Sequence, residues 1–66
     1  MKHSEIVQTA ICMRLVNIYS LINTTCIIDI DNLSISGTET NIQFDRISQL
    51  NNWLLNEIEL SVENMI

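Results

Sequence analysis

Hydrophobic residues recur at helical spacing over the first third of the chain. Steps of four, four, three and four residues place five of them on one stripe of an α-helix: Val7, Ile11, Leu15, Ile18 and Ile22. The spacing predicts a first helix over residues 4–23, with Ser4 as its N-cap. The stripe is the expected core face of this helix.

The opposite side of the predicted helix is apolar as well. Cys12, Met13, Val16 and Tyr19 lie there among polar residues. A helix that is apolar on two sides is typical of burial on two sides, and a short chain has little of its own to supply a second layer. We therefore predict that Met13, Val16 and Tyr19 form the interface of a homodimer.

The hydrophobic period changes to two over residues 25–45. The apolar residues stand at even positions up to Ile30 and at odd positions from Leu33, and this switch predicts a tight turn at Asp31-Asn32. Gly37 opens a second turn, after which residues 41–44 alternate again. The pattern predicts an antiparallel meander of three strands, or a single bulged hairpin if the first turn is only a kink.

Helical spacing returns after Asp45, the expected N-cap of a second helix. Its core stripe is predicted to contain Ile47, Leu50, Leu54, Ile58 and Met65. The elements together predict an α+β fold of order α-β-β-(β)-α, formed by residues 1–66 as a single domain. Two amphipathic helices would cover one face of a small antiparallel sheet of two or three strands.

Length and charge narrow the classes of function. A chain of 66 residues buries only about 60% of its unfolded surface, so a core this small needs support from a disulfide, a metal or a second chain. Two cysteines outside any C-x-x-C pair leave self-association as the expected support. Three basic residues against eight acidic ones exclude a positive face for nucleic acid.

The location of the chain follows from its apolar segments. The stretch over residues 6–22 contains Gln8, Arg14, Asn17 and Ser20, so we expect no membrane-spanning helix. The expected compartment is the cytoplasm, with Cys12 and Cys26 reduced and acting as small packing residues.

Residues that could carry chemistry are few. His3, the only histidine, has no Ser, Cys or Asp placed by sequence to form a catalytic relay. Asp29 and Asp31 form a D-x-D that could bind a cation, but alternating acidic residues are expected on the wet side of a strand. We therefore predict a protein that is not an enzyme and has no metal or other cofactor.

A second apolar strip on the C-terminal helix predicts a binding surface for another protein. Trp53 and Leu60 are seven residues apart, beside the core stripe. Either Trp53 lies at the edge of the core, or the pair anchors a partner. Glu57, Glu59 and Glu63 complete the predicted partner-binding surface. An alternative is that these carboxylates imitate the phosphates of nucleic acid.

In layout, the chain resembles the small acidic proteins that bacteriophages and mobile elements encode to block bacterial defence systems. The similarity lies in its size, its Ile- and Asn-rich composition, its helix–hairpin–helix order, and the run Ile42-Gln43-Phe44-Asp45 leading into the Trp53-Leu54-Leu55 helix. The resemblance implies stoichiometric inhibition of a host defence protein, as in anti-restriction and anti-CRISPR proteins, and assigns no functional residue. The other possibility is an accessory subunit or antitoxin-like partner that stabilises a larger protein.

Overall fold

The computed structural model describes residues 3–65, which form two helices and a three-stranded sheet. The elements are, in chain order, α1 (His3–Ile22), β1 (Ile27–Asp29), β2 (Ser34–Ser36), β3 (Asn41–Gln43) and α2 (Ile47–Met65). This is the predicted α+β order, with the meander rather than the single hairpin. The strands pair antiparallel in the order β1-β2-β3.

A row of three isoleucines joins the sheet to the helices. Ile28 pairs with Ile35, and Ile35 pairs with Ile42 on the third strand. Opposed residues share a face of a sheet, so all three side chains project to the same side. Ile35, in the central strand, is only 1% exposed and belongs to the core. The alternating pattern of the sequence therefore predicted the correct face of the sheet.

The first turn differs from the expected two-residue turn at Asp31-Asn32. Four residues, 30–33, connect β1 to β2, and the positive φ of 52° falls on Leu33. The Asp29 carboxylate accepts hydrogen bonds from the backbone N–H and the side-chain amide of Asn32, at 3.1 and 2.7 Å. The left-handed conformation of Leu33 costs roughly 1 kcal/mol. It persists because the Leu33 side chain packs on the core and its carbonyl accepts the Phe44 N–H.

The second turn places Gly37 against the segment that joins α1 to β1. The Gly37 N–H donates to the Thr40 carbonyl at 2.7 Å, which closes the connection between β2 and β3. A Cβ at this position would lie 3.0 Å from the Sγ atom of Cys26. That sulfur accepts a hydrogen bond from the Tyr19 hydroxyl at 3.9 Å and so has a preferred position. Close approach, rather than a positive φ, is the reason for glycine here.

We expect Gly37→Ala to lower the free energy of unfolding by about 1–2 kcal/mol. Alanine restricts the unfolded chain, which favours folding, but the cost of overpacking against Cys26 is larger. Chemical denaturation followed by Trp53 fluorescence measures the change. In a Cys26→Ala background the added methyl group has room, and the same substitution is expected to be neutral or stabilising. An equal loss in both backgrounds would contradict the proposed clash.

Helix α1 turns a different face to the core than its periodicity predicted. Cys12, Leu15 and Tyr19 are buried, whereas Val7, Ile11 and Ile18 are exposed. Of the predicted core stripe, Leu15 is buried and Ile22 is half-buried. The remaining three of the five face solvent. The helix is apolar on both sides, so its spacing alone could not select the buried one.

The start of α2 is closed by a glutamine rather than by the expected Asp45. The Arg46 carbonyl accepts the first helical hydrogen bonds, from Gln49 and Leu50, which makes Arg46 the N-cap residue. The Gln49 side chain reaches back to the N–H groups of Asp45 and Arg46, at 3.0 and 3.3 Å. This is the return half of a capping box. At the other helix, Ser4 lies inside α1 rather than at its N-cap.

The two helices run side by side in the same direction. Near their starts, Asn51 of α2 donates hydrogen bonds to the carbonyl and the side-chain oxygen of Gln8, at 2.9 and 2.8 Å. Further along, Trp53 contacts Tyr19. The predicted stripe of α2 is confirmed for its first four residues, which pack in or on the core, whereas Met65 is exposed.

Candidate functional site

A groove opens between the C-terminal ends of the two helices. It has a volume of about 550 Å³ and is lined by residues from both helices and from the segment that follows α1. The lining residues are Tyr19, Ile22, Asn23, Thr24, Thr25, Glu57, Leu60, Ser61 and Asn64. We call this the end groove. It is the cavity that collects residues of the predicted partner-binding surface.

Tyr19 provides a fixed polar group beside the end groove. Its side chain is 4% exposed, and its hydroxyl accepts a hydrogen bond from the Asn23 amide at 3.1 Å while donating to the Cys26 sulfur. Burial and the bond to Cys26 raise the pKa of Tyr19, and the nearby Glu57 carboxylate adds to this effect. The hydroxyl is therefore neutral and held in place by two residues of the segment that follows α1, Asn23 and Cys26.

The rim of the end groove is built by the residues that terminate α1. The Asn23 side-chain oxygen accepts the backbone N–H and the hydroxyl of Thr25, at 2.9 and 2.7 Å. Such a side-chain turn is a common way for asparagine to reverse the chain after a helix. On the opposite rim, Glu57 is half-buried and Leu60 is 46% exposed. The groove thus combines hydroxyl groups, one carboxylate and an accessible aliphatic side chain.

Trp53 lies at the edge of the core rather than on the open surface. It is half-buried, and its ring meets the Tyr19 ring edge-to-face, with centroids 5.6 Å apart and an angle of 67° between the planes. This packing holds Tyr19 against α2. Trp53 thus packs at the edge of the core, whereas Leu60 is exposed, so the predicted strip of Trp53 and Leu60 is divided between core and surface.

The three predicted carboxylates do not share one face of α2. Glu57 lines the end groove, whereas Glu59 and Glu63 are exposed and lie outside its lining. Glu59 and Glu63 stand one turn apart, but Glu57 precedes Glu59 by two residues and so projects to another side of the helix. The three carboxylates therefore do not form one continuous acidic strip along α2.

The predicted dimer interface requires a correction. Tyr19 is a core residue, and Val16 is half-buried and packs against the core. Only Met13 has an exposed side chain, which borders a second open groove of about 590 Å³ between α1 and β1. The helix is rotated relative to the expected orientation, because Tyr19 finds its hydroxyl partners and the Trp53 ring on the inner side. These three residues cannot form one outer surface.

Side chains that could bind a metal or react, such as those of His, Cys, Asp and Glu, do not cluster in the described part of the chain. No three His, Cys, Asp or Glu residues within 3–65 are placed to bind a metal ion. The hydrogen bonds from Asn32 lower the pKa of Asp29, and through them this carboxylate stabilises the first turn. Burial raises the pKa of the Cys12 thiol. Cys12 and Cys26 are free, in keeping with a packing role.

Helix α1 is long and apolar enough to cross a membrane by length and composition, with a mean hydropathy of 1.2. The prediction from sequence did not identify it as such, because polar residues interrupt it. Core helices of globular domains and signal sequences meet the same criterion. Only 17% of the segment tested is buried inside the domain, so most of this apolar helix faces outward.

Comparison with protein-family models, with curated proteins and with solved structures finds no match to this chain. The fold is that of a two-layer α+β domain. The role of the end groove is therefore argued from its lining residues.

Sequence reasoning found Leu60 and Glu57 but missed the polar part of the groove. Tyr19 and Asn23 are four residues apart, the spacing at which side chains on a helix meet, and that spacing was the available signal. The contribution of Thr24 and Thr25 had no such signal. It arises only once α2 lies beside the end of α1.

Proposed function

We propose that this chain is a non-catalytic interaction module that acts by binding another protein. One observation carries the proposal: within residues 3–65, six hydrophobic side chains are buried, whereas eleven large hydrophobic side chains are at least 40% exposed. Isolated exposed aliphatic residues are normal, but a surplus of this size in a small domain is typical of contact surfaces. A contact surface acts by binding and requires no reaction.

The end groove is the surface we assign to this partner. Leu60 offers an aliphatic contact, and Glu57 with the Thr24 and Thr25 hydroxyls offers acceptors for hydrogen bonds. The chain carries a net charge of −5, which attracts a basic surface over a distance and speeds encounter. The expected partner is therefore a protein that places an aliphatic side chain next to a lysine or arginine.

A finer proposal starts from the resemblance in layout. We propose an inhibitor of a bacterial defence protein that works in the cytoplasm. Its acidic charge and the accessible Leu60 side chain support this proposal, since a defence protein that handles nucleic acid has the basic surface the end groove fits. An accessory subunit or antitoxin-like partner remains the second candidate, because the same apolar surplus suits permanent assembly with a larger protein.

The experiment is a pull-down from bacterial lysate with the tagged protein and two double variants. Leu60→Ala/Glu57→Gln alters the end groove, and Leu21→Ala/Glu63→Gln makes the same chemical changes on exposed positions outside it. We expect one protein to be retained by the wild type and the control but lost by the groove variant. Purified components then give the Kd, which we expect to rise at least about tenfold in the groove variant.

Other outcomes contradict parts of this proposal. Capture that both variants retain would remove the end groove as the binding surface. Capture that disappears steeply with added salt, and with Glu59→Gln/Glu63→Gln, would favour phosphate mimicry. Binding that resists salt agrees with an aliphatic anchor.

A further inference from the structure

Helix α1 exposes an apolar stripe with a single charge in it. Val7, Ile11 and Ile18 are 40–45% exposed, and Arg14 stands between the last two. The steps of four, three and four residues place these four side chains in one row along the helix. Thr9 and Met13, which face β1, lie on the other side of α1. The row therefore lies on the side of α1 turned away from the sheet.

Helix α2 exposes a matching stripe of opposite charge. Leu55 and Val62 are 44% and 47% exposed, and Glu59 stands between them. Steps of four and three residues again make one row. Leu55 follows, by one turn, the Asn51 side chain that contacts α1. This row thus continues outward from the contact between the helices, on the side of α2 away from the end groove.

We propose that the occupant of this double stripe is a second copy of the chain. In a twofold dimer, the α1 stripe of one protomer packs on the α2 stripe of its partner, and the same contact repeats with the roles exchanged. Arg14 then meets Glu59 of the partner subunit, in two equivalent ion pairs within an apolar surface. Among residues 3–65 of a single chain, Arg14 forms no ion pair.

Charge complementarity selects this arrangement over others. Arg14 is one of only three basic residues in the chain, and it lies in the middle of the α1 stripe. Packing α1 on α1 of the partner would bring two Arg14 side chains together, and packing α2 on α2 would bring two Glu59 side chains together. Opposed like charges are unfavourable, whereas the crossed pairing satisfies all four groups.

The area of the domain agrees with a dimer of ordinary size. The accessible surface of one chain is 4981 Å². A compact monomer of 7.6 kDa is expected to expose about 4,300 Å², so the chain carries about 700 Å² in excess. A stable interface removes about 800 Å² from each partner. The excess is close to what one such contact covers.

The test is the mass of the protein in solution at micromolar concentration, measured by sedimentation equilibrium. We expect the wild type at twice 7.6 kDa and Arg14→Glu with a dimer Kd at least about tenfold higher, because both ion pairs become repulsive. Arg14→Glu/Glu59→Arg restores the pairing with charges exchanged and is expected to restore the dimer. Arg46→Glu makes the same charge change outside the stripes and is expected to have no effect.

Each other result overturns the inference. A monomeric wild type removes the dimer, a dimer that tolerates Arg14→Glu removes this surface, and a double variant that stays monomeric removes the ion pair. Circular dichroism verifies that every variant is folded. The inference goes beyond the proposed partner binding, because the stripes and the end groove share no residue. The Leu60→Ala/Glu57→Gln variant should still dimerise, so the two proposals fail separately.

Discussion

Leu54→Ala is expected to lower the free energy of unfolding by about 3–4 kcal/mol and to leave much of the protein unfolded at 37 °C. Leu54 has no exposed surface and lies in the cluster formed by α1, α2 and the central strand. Truncation removes three buried carbon atoms and leaves a cavity. A domain of 66 residues has a total stability of roughly 3–10 kcal/mol, so this loss is a large share of it.

Urea denaturation followed by Trp53 fluorescence measures this effect, since Trp53 packs beside the same core. Met65→Ala is the control, because Met65 is 75% exposed at the end of α2, outside both stripes, and its truncation opens no cavity. We expect the control to change the free energy of unfolding by less than about 0.5 kcal/mol. Comparable losses in both variants, compared at one protein concentration, would mean that Leu54 is not a core residue.

The sheet and α2 could be predicted from the sequence because each has one wet face. The strands alternate Ile28 and Ile35 with polar neighbours, and α2 places Leu50 and Leu54 opposite asparagines and glutamates. In such elements a single orientation buries the apolar residues. The exact ends of these elements could not be predicted, because they are set by hydrogen bonds of single side chains. Examples are Gln49 at the start of α2 and Asn32 in the first turn.

Helix α1 could not be oriented from the sequence because it is apolar on two sides. The choice between its faces depends on partners that lie far along the chain. Asn51 bonds to Gln8 across 43 residues, and Trp53 packs on Tyr19. Both contacts favour the face that contains Cys12 and Tyr19. The residues displaced from the core, Ile11 and Ile18, then become the exposed stripe on which we base the dimer.

Only part of the candidate site could be predicted from the sequence, for a related reason. Leu60 and Glu57 lie on one helix, and a helical projection finds them. The remainder of the end groove comes from the end of α1, and its position depends on how the two helices lie together. A groove between two elements depends on how they pack. Residue spacing along the sequence predicts which residues share a face of one helix, but not which two faces meet.

Asn51→Asp is expected to lower the free energy of unfolding by about 3–5 kcal/mol at pH 7. Asn51 is 3% exposed, and its amide group donates to two oxygens of Gln8. A carboxylate in this position loses both donated hydrogen bonds and faces the Gln8 oxygens with a negative charge. Its other oxygen replaces the Oδ1 atom, which is buried and has no partner among the described residues. The substitution therefore buries a charge whose one nearby donor is the Gln8 side-chain amide, which has to turn over to reach it.

The cost is expected to depend on pH with a definite sign. Burial raises the folded-state pKa of the introduced carboxyl above its unfolded value of about 3.9, because the fold favours the neutral acid. Below that value the acid is neutral in both states and can donate one hydrogen bond to Gln8, so the loss is smallest. The loss grows by up to about 1.4 kcal/mol per pH unit until the pH passes the folded-state pKa.

Asn52→Asp is the matched control for this pH dependence, since Asn52 is the exposed neighbour of Asn51 on the same helix. Denaturation curves of both variants between pH 3.5 and 7 give the difference in the free energy of unfolding. We expect that difference to widen as the pH rises. A constant difference would mean that the carboxyl at position 51 reaches water when it ionises, and that the contact between Asn51 and Gln8 opens readily. A widening difference would mean that the contact between Asn51 and Gln8 stays closed and helps to fix how α1 lies on α2. The same orientation of α1 exposes the α1 stripe.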